Sequence, residues 1–357
     1  MKSVSSAQVN TAVQIGPHCV GYRQPALIVA EAGVNHDGSV STALELVDAA
    51  VAAGADAVKF QMFRAEELTT ATARVASYQQ TGGIATQREL LERLELSDAD
   101  FARLAAHCRQ RDIGFLATPF SVPDVDRLVK LGVPAIKIAS GDLTNAPLQR
   151  RAVLTGLPLI LSTGASTAEE IVTAVERLRI WGAGTRTILL HCISGYPAPV
   201  EAANLRAICT LQRVTGVPCG FSDHTRSTDI AAWAVAAGAC LLEKHFTLDR
   251  ARPGPDHAMS LTPDELKLYV KQARAADAAL GTGDLGMTDI EAEVRAVARK
   301  SVVAARPIPA GTALTGDMLT VKRPGGGIGP EWLETLSGRL ATVDIAADTV
   351  LTWDMVR

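Results

Sequence analysis

Two histidines in this sequence are placed in a way that suggests a metal site. His224 and His245 lie at the ends of two short apolar runs, "CGFSDHT" and "ACLLEKHF". If these runs are neighbouring strands, about 4.8 Å apart, the two imidazoles can share one ion. Neutral imidazoles with water and oxygen ligands suit Mn²⁺, Fe²⁺ or Zn²⁺ and leave coordination positions open for a substrate. The alternative is a pair of unrelated loop histidines, because this spacing is not an established motif.

Two lysines suggest an anion site at the same place. Lys59 and Lys137 lie near the ends of the runs "AVKFQ" and "AIKIAS". Together they would clamp a phosphate, or a phosphate and a carboxylate, although no Walker-type loop is present. Neighbouring runs end in the hydroxyl groups of Thr118, Ser140, Ser162 and Ser222. The alternative is a structural salt bridge in which one lysine pairs with Glu31 or Glu243.

Acidic and aromatic side chains complete the candidate set. The candidate acids are Glu31, Asp142, Glu243 and Asp256. A carboxylate beside two lysines should stay ionised and can orient water or a substrate hydroxyl. Tyr196, in "SGYPAP", would either stack on a sugar or pack the turn before a proline. Asp256, in "RPGPDH", is either a site residue or an ordinary turn aspartate.

These side chains can form one site only if the fold brings the ends of several strands together. Short apolar runs alternate with amphipathic stretches whose apolar residues recur every three or four positions. The runs span 26–33, 57–61, 114–120, 135–140, 158–164, 187–194, 219–225 and 239–246. Eight such units in about 250 residues predict a (β/α)₈ barrel, whose active site forms at the carboxyl ends of the strands. A doubly wound sheet is the alternative, but no GxGxxG follows the first run.

Two segments depart from the regular alternation. The connection 63–98 is long, which predicts a lid or a substrate wall. A Gly-rich hinge at 281–289 precedes a tail of short strands and turns, which is near the lower size limit for folding alone. In this tail, "KRPGGGIG" puts Arg323 either in a surface turn or over a substrate. We predict an N-terminal extension (1–25), a barrel (26–282), a linker (283–295) and a small, mostly β domain (296–357).

The composition is that of a globular protein with small-molecule partners. The 357 residues are 47% hydrophobic and 20% charged, with a net charge of −3, so neither nucleic acid nor an anionic membrane is expected as the main partner. The longest uncharged apolar run, 230–242, is shorter than the roughly 20 residues that cross a bilayer. The six cysteines form no CxxC pair. With no signal-peptide pattern at the N-terminus, they predict a cytoplasmic protein.

Taken together, the chain resembles the sialic acid synthase family, which condenses phosphoenolpyruvate (PEP) with an N-acylmannosamine-type sugar. The resemblance runs from about residue 26 to the C-terminus. It rests on "EAGVNHDG", "AVKFQ", "FLATPF", "IKIASGD", "LILSTG", "LLHCISGYPAP", "FSDHT", "EKHFTLDRARPGPDH" and "KRPGGGIG". The tail resembles the antifreeze-like (SAF) domain that follows the barrel in this family.

The resemblance implies a role for most of these residues. A divalent metal, usually Mn²⁺ with Mg²⁺ or Co²⁺ as alternatives, would bind His224 and His245. The implied PEP contacts are Lys59, Thr118, Lys137, Ser140, Ser162 and Ser222. The implied sugar and water contacts are Glu31, Gln61, Tyr196 and Asp256, with Glu243 near the metal. The catalytic roles would fall on Glu31, Lys59, Glu243 and Arg323. Because the family's dimer is domain-swapped, Arg323 would reach the neighbouring chain's active site.

Two predicted substrate-binding positions differ from the pattern of N-acetylneuraminate synthases. Asp142 stands where Glu is common, and Ser194 stands where Asn can precede the Tyr-Pro pair. The shorter acid changes reach by one methylene, which could suit a differently substituted sugar. The acceptor is therefore either N-acetylmannosamine or the 2,4-diacetamido-6-deoxy sugar of legionaminic acid synthesis. "SGDLTN" favours these two over the pseudaminic acid branch.

Two other functions compete with this interpretation. Other PEP-dependent synthases condense phosphorylated aldehydes, but they need a second phosphate clamp and have no use for the "KRPGGGIG" tail. A non-catalytic envelope or spore-coat protein could keep the barrel as a scaffold. The presence of His224, His245 and Lys59 argues against that reading.

Overall fold

A computed structural model of the chain describes residues 12–74 and 86–357. The chain divides into an N-terminal unit that ends at Thr282 and a C-terminal unit that begins at Gly283. The two units are described separately below.

The N-terminal unit is built on eight parallel strands. They are β3 (Leu27–Gly33), β4 (Ala57–Met62), β5 (Gly114–Pro119), β6 (Ile136–Ile138), β7 (Leu159–Ser162), β8 (Thr187–Cys192), β9 (Cys219–Asp223) and β10 (Leu241–His245). Hydrogen-bonded ladders join them in the order β5-β4-β3-β10-β9-β8-β7-β6. The two end strands of this order, β5 and β6, also lie against each other. The result is a nearly closed (β/α)₈ barrel, so the predicted fold is confirmed.

Helices surround this barrel and bury one face each. They are α1 (Val40–Ala53), α2 (Ala65–Leu68), α3 (Gln87–Glu92), α4 (Asp98–Gln110), α5 (Val122–Leu131), α6 (Ala146–Leu154), α7 (Ala168–Ile180), α8 (Arg206–Thr215), α9 (Ile230–Ala236) and α10 (Pro263–Leu280). In α1, for example, Leu46, Val47 and Ala50 are buried, and the helix ends at Gly54 with φ of 81°, a conformation that favours glycine. The strands are buried on both faces, as parallel sheets require.

A hairpin before the barrel covers its amino-terminal end. Strands β1 (Ala12–Ile15) and β2 (His18–Gly21) pair in antiparallel fashion. Val13, Ile15 and Val20 are buried in one cluster with barrel residues from the amino-terminal halves of the strands. The described part of the predicted N-terminal extension therefore contributes three side chains to the hydrophobic core.

The C-terminal unit is small and contains mostly short β elements. Helix α11 (Asp289–Ala298) begins within the predicted linker and is followed by β11 (Ser301–Ala304) and β12 (Leu319–Lys322), which are antiparallel. Isolated bridges and single 3₁₀ turns complete it. Its own core includes Val302, Ile308, Leu314, Leu336 and Leu351.

Candidate active site

A cavity of about 450 Å³ opens at the carboxyl ends of the barrel strands. Because the active site of a (β/α)₈ barrel forms at the carboxyl ends of its strands, we predicted that the polar candidates would meet there, and most of them do. Those that line the cavity are Glu31, Lys59, Gln61, Thr118, Lys137, Ser140, Ser162, Ser194, Tyr196, Ser222, His224, Glu243, His245 and Asp256.

Two lysines and two glutamates form a buried charge cluster at this site. Lys59 Nζ lies 2.6 Å from Glu31 Oε2 and 3.6 Å from Glu243 Oε2, and Lys137 Nζ lies 3.8 Å from Glu243 Oε1. All four side chains are buried. The salt bridges considered as an alternative to a ligand clamp are therefore present, and they lie in the wall of the cavity itself.

Hydroxyl groups hold the two ammonium groups in place. Lys59 Nζ donates to Thr118 Oγ1 at 3.0 Å, and Lys137 Nζ donates to Ser162 Oγ at 2.7 Å. Ser222 donates to Glu243 Oε1 at 3.0 Å. These contacts orient the cluster without neutralising it, because a hydroxyl carries no net charge.

Burial and neighbouring charges set the protonation of the cluster. Burial raises the pKa of Glu31 to about 7, although Lys59 opposes this shift. Burial would also raise the pKa of Glu243, but Lys137 and Lys59 outweigh it and the net shift is downward. Burial lowers the pKa of Lys137. The pKa of Glu31 therefore lies near neutral pH, where its carboxyl group can change charge.

The two predicted metal ligands lie side by side. The ring centroids of His224 and His245 are 5.5 Å apart, and the ring of Tyr196 lies 4.3 Å and 6.4 Å from them. Burial lowers the pKa of both histidines, so both rings are neutral at physiological pH. His224 Nδ1 is 2.7 Å from the carbonyl oxygen of Ile193. It must therefore donate to that oxygen, which leaves the Nε2 lone pair free.

These residues fit a divalent metal. The Nδ1 atom of His245 is buried and has no hydrogen-bond partner, and it lies 3.9 Å from Asp256 Oδ2. Within residues 12–74 and 86–357, no cluster of three or more His, Cys, Asp or Glu side chains could enclose a metal. Two imidazoles would therefore supply the protein ligands, and oxygen atoms of water or substrate would supply the rest.

Two glycines let side chains of the cavity wall pack against the backbone. A Cβ on Gly33 would lie 3.2 Å from Glu31 Oε1 and 3.6 Å from Asp256 Oδ2, at a φ of +54° that L side chains rarely adopt. A Cβ on Gly164 would collide with the side chains of Cys192 and Ser194. Both positions require glycine because polar groups crowd the backbone.

The sequence analysis missed a hydrogen-bond network that joins the loops after β3 and β10. Asn35 Nδ2 donates to the carbonyl oxygen of Phe246 at 2.8 Å. His257 Nε2 lies 2.9 Å from Asp37 Oδ1, and its Nδ1 lies 2.6 Å from Thr247 Oγ1. Asn35 and Asp37 in "NHDG" could have indicated this network, but their partners lie more than 200 positions away in sequence.

One predicted site residue of the barrel is not in the cavity wall, and another belongs to the C-terminal unit. Asp142 lies in the 3₁₀ turn Ser140–Asp142, and its Oδ1 accepts a hydrogen bond from Asn145 Nδ2 at 2.8 Å. Arg323 is exposed in the C-terminal unit, directly after β12. Its proposed role in a neighbouring chain stays a prediction.

The long connection after β4 supplies one wall of the cavity. Leu68, Gln87, Leu90, Leu91 and Leu94 line it. The predicted lid falls partly on residues 75–85, which lie outside the described residues.

The fold and the site define a (β/α)₈-barrel protein with a buried charge cluster and a histidine pair at the carboxyl ends of its strands. The model of the NeuB family matches residues 46–285, and that of the SAF domain matches residues 299–357. The chain therefore belongs to the NeuB family and carries a SAF domain, as the resemblance predicted.

Three relatives indicate how closely the chain follows this family. N,N'-diacetyllegionaminic acid synthase of Legionella pneumophila is 38% identical over 94% of this chain and 96% of its own length. N-acetylneuraminate-9-phosphate synthase of Mus musculus is 35% identical over 92% of each chain. The structure of N-acetylneuraminic acid synthetase from Leptospira borgpetersenii matches with a TM-score of 0.71 and 36% identity, and covers 80% of this chain and 95% of its own. In the described part of the chain, no helix has the length and apolarity needed to cross a membrane.

Proposed function

We propose that this protein is a nonulosonic acid synthase that condenses PEP with the open-chain form of an N-acylmannosamine-type sugar. The observation that carries the proposal is the lysine–glutamate cluster, which lies in one cavity with the histidine pair. The named activities of the relatives support the same class of reaction.

The proposed reaction forms one C–C bond and breaks one C–O bond. The π electrons of PEP attack the sugar aldehyde from C3, and the aldehyde oxygen takes up a proton. Water adds to the cationic C2 and loses a proton. The bond between C2 and the bridging oxygen of the phosphate then breaks, and phosphate leaves with that electron pair. The C2 hydroxyl loses its proton, and C2 becomes a ketone.

The lysines are suited to bind the anionic groups of PEP. Both ammonium groups lie in the cavity wall, and Thr118 and Ser162 hold them at 3.0 Å and 2.7 Å. An ammonium group in a buried site attracts phosphate and carboxylate more strongly than one in water. Because Glu31 has a pKa of about 7, its carboxyl group can hold or release a proton during turnover.

The histidines are suited to hold a divalent metal, which we propose is Mn²⁺. Bound there, the ion would polarise the aldehyde oxygen as a Lewis acid. Tyr196 packs against both rings and thereby limits their rotation. Asp256 is buried with a pKa raised to about 6, and it is suited to orient water or a sugar hydroxyl.

A product assay tests this function. Purified protein, Mn²⁺ and PEP would be incubated with N-acetylmannosamine and, separately, with 2,4-diacetamido-2,4,6-trideoxymannose. We expect a nonulosonic acid by mass spectrometry and release of phosphate, both abolished by EDTA. PEP labelled with ¹⁸O in the bridging oxygen should yield labelled phosphate. The absence of any metal-dependent product from either sugar would refute the proposal.

A further inference from the structure

One sector of the cavity is lined by apolar rather than polar side chains. The residues that follow β3, β4 and β5 form this sector, although the strands themselves present Glu31, Lys59 and Thr118 to the cavity. The leucine wall, as we call it, consists of Val34, Leu68, Leu90, Leu91, Leu94 and Phe120. These residues belong to one apolar cluster, in which Leu90, Leu91 and Leu94 are buried.

No cation faces the cavity from this wall in the described part of the chain. The basic residues that line the cavity there are Lys59, Lys137 and the two neutral histidines. Three arginines near the wall in sequence make contacts elsewhere. Arg64 Nη2 pairs with Asp98 at 2.6 Å, and Arg93 Nη2 pairs with Glu89 at 2.7 Å. Arg88 donates to the carbonyl oxygen of Thr69 at 2.7 Å. The segment 75–85, "VASYQQTGGIA", contains no Lys, Arg or His.

This distribution limits the acceptor sugar. Within a single chain, placing a phosphate against these leucines would leave a desolvated anion without a paired cation, which is strongly unfavourable. A methyl group placed there would instead bind favourably, because its apolar surface would be removed from water. One added or missing methylene or hydroxyl in an apolar pocket typically changes selectivity about 10- to 200-fold.

We infer that the leucine wall determines acceptor specificity, and that it selects an unphosphorylated sugar with apolar substituents, such as a 6-deoxy, di-N-acetylated hexose. This inference rests on the proposed function, because it concerns the acceptor of the same reaction. It assigns specificity to the described residues of the leucine wall, not to Asp142, whose Oδ1 accepts a hydrogen bond from Asn145.

Competition among three acceptors tests the inference. The purified full-length protein, with Mn²⁺ and PEP, would be assayed with 2,4-diacetamido-2,4,6-trideoxymannose, N-acetylmannosamine and N-acetylmannosamine 6-phosphate. We expect kcat/KM for the first sugar to exceed that for the second at least about tenfold, with no turnover of the phosphorylated sugar. Preferred use of the phosphorylated sugar, or equal use of the first two, would overturn the inference and leave the proposed function intact. No product from any sugar would overturn both.

Variants of the wall separate specificity from packing. Leu91→Asn and the partly buried Leu68→Asn should each raise KM for the trideoxy sugar about tenfold and leave KM for PEP unchanged. Phe63→Leu is the matched control, because Phe63 belongs to the same apolar cluster but does not line the cavity. It should keep the selectivity between the two unphosphorylated sugars. If Leu68→Asn folds and keeps the wild-type selectivity ratio, the leucine wall is not the specificity element.

Discussion

At the scale of single residues, the site depends on groups whose charge is set by burial. His245 is buried, neutral and without a hydrogen-bond partner at Nδ1. Such an atom is costly in a folded protein unless a ligand satisfies it. The metal site is therefore the residue-level feature that is simplest to test.

We predict that His245→Ala abolishes condensation and weakens Mn²⁺ binding at least about 100-fold, since even loss of a supporting residue commonly costs 10- to 100-fold. Titration of free Mn²⁺ by electron paramagnetic resonance measures the affinity, and circular dichroism checks the fold. His107→Ala is the control, because His107 on α4 pairs with Asp48 on α1 and does not line the cavity. Normal turnover by a folded His245→Ala protein would contradict the metal-site assignment.

Glu31 leads to a prediction about pH. An anion bound beside Lys59 should raise the pKa of Glu31 further above about 7, because two negative charges would then share one ammonium group. PEP binding should therefore take up part of a proton near pH 7.5 and weaken as the pH rises above 7, where Glu31 ionises. Calorimetry in buffers of different ionisation enthalpy measures this uptake.

Glu31→Gln provides the control for this pH effect. The amide cannot ionise, so proton uptake should fall and the affinity for PEP should change less between pH 6.5 and about 8.5. The same uptake in wild-type and Glu31→Gln proteins would show that another group titrates, and Asp256, with a pKa of about 6, would be the first to examine.

At the scale of elements, an ion pair on the outer face of the barrel joins β9 and β10, the two strands at whose ends the histidines lie. Lys244 Nζ pairs with Asp223 Oδ2 at 2.7 Å and also donates to the carbonyl oxygen of Thr225. Both charges are buried, and Lys244 lies over the ring of Tyr269 on α10. Side chains alternate along a strand, so this pair lies on the opposite face from the histidine that follows each member.

We predict that this ion pair positions the histidines. Lys244→Met should destabilise the fold by about 3–5 kcal/mol, because it leaves an unpaired buried carboxylate. The double variant Asp223→Asn/Lys244→Met should recover much of that loss, yet it should still bind Mn²⁺ about tenfold more weakly. Urea denaturation and Mn²⁺ titration measure the two effects. Wild-type Mn²⁺ affinity in the double variant would assign the pair to stability alone.

Elements also show where sequence reasoning succeeds and fails. The strands were predictable because apolar runs end abruptly in polar residues, as in "IKIASGD". The β1–β2 hairpin was not predicted, because its burial comes from barrel residues that are distant in sequence. The connection 63–98 was predicted as a lid or a substrate wall, but its leucine lining was not, because "RELLERLEL" has the pattern of any amphipathic helix. The hydrogen bond between Asn145 and the Asp142 carboxylate could not be predicted, because it depends on one 3₁₀ turn after the strand, and the substrate role of Asp142 stays a prediction.

At the scale of the whole molecule, the remaining question is whether two chains complete each active site. The resemblance implies a domain-swapped homodimer. In α11, the apolar residues Ile290, Val294 and Val297 are 88%, 60% and 61% exposed, and their spacing places them on one side of the helix. Such a stripe is suited to contact with a second chain.

We predict that Arg323 acts in the active site of the partner chain. Arg323→Ala should raise KM for the sugar more than KM for PEP, and Lys59→Ala should abolish activity. When the two variants are mixed and reassembled, about half of the dimers should pair one chain of each kind. In each mixed dimer one of the two sites is whole, so about a quarter of wild-type activity should return.

Mixing Lys59→Ala with His245→Ala is the control. Both changes lie in the barrel, so neither site is repaired. If mixing the Arg323 and Lys59 variants restores nothing although gel filtration shows dimers, each chain uses its own arginine or none, and the domain swap is wrong.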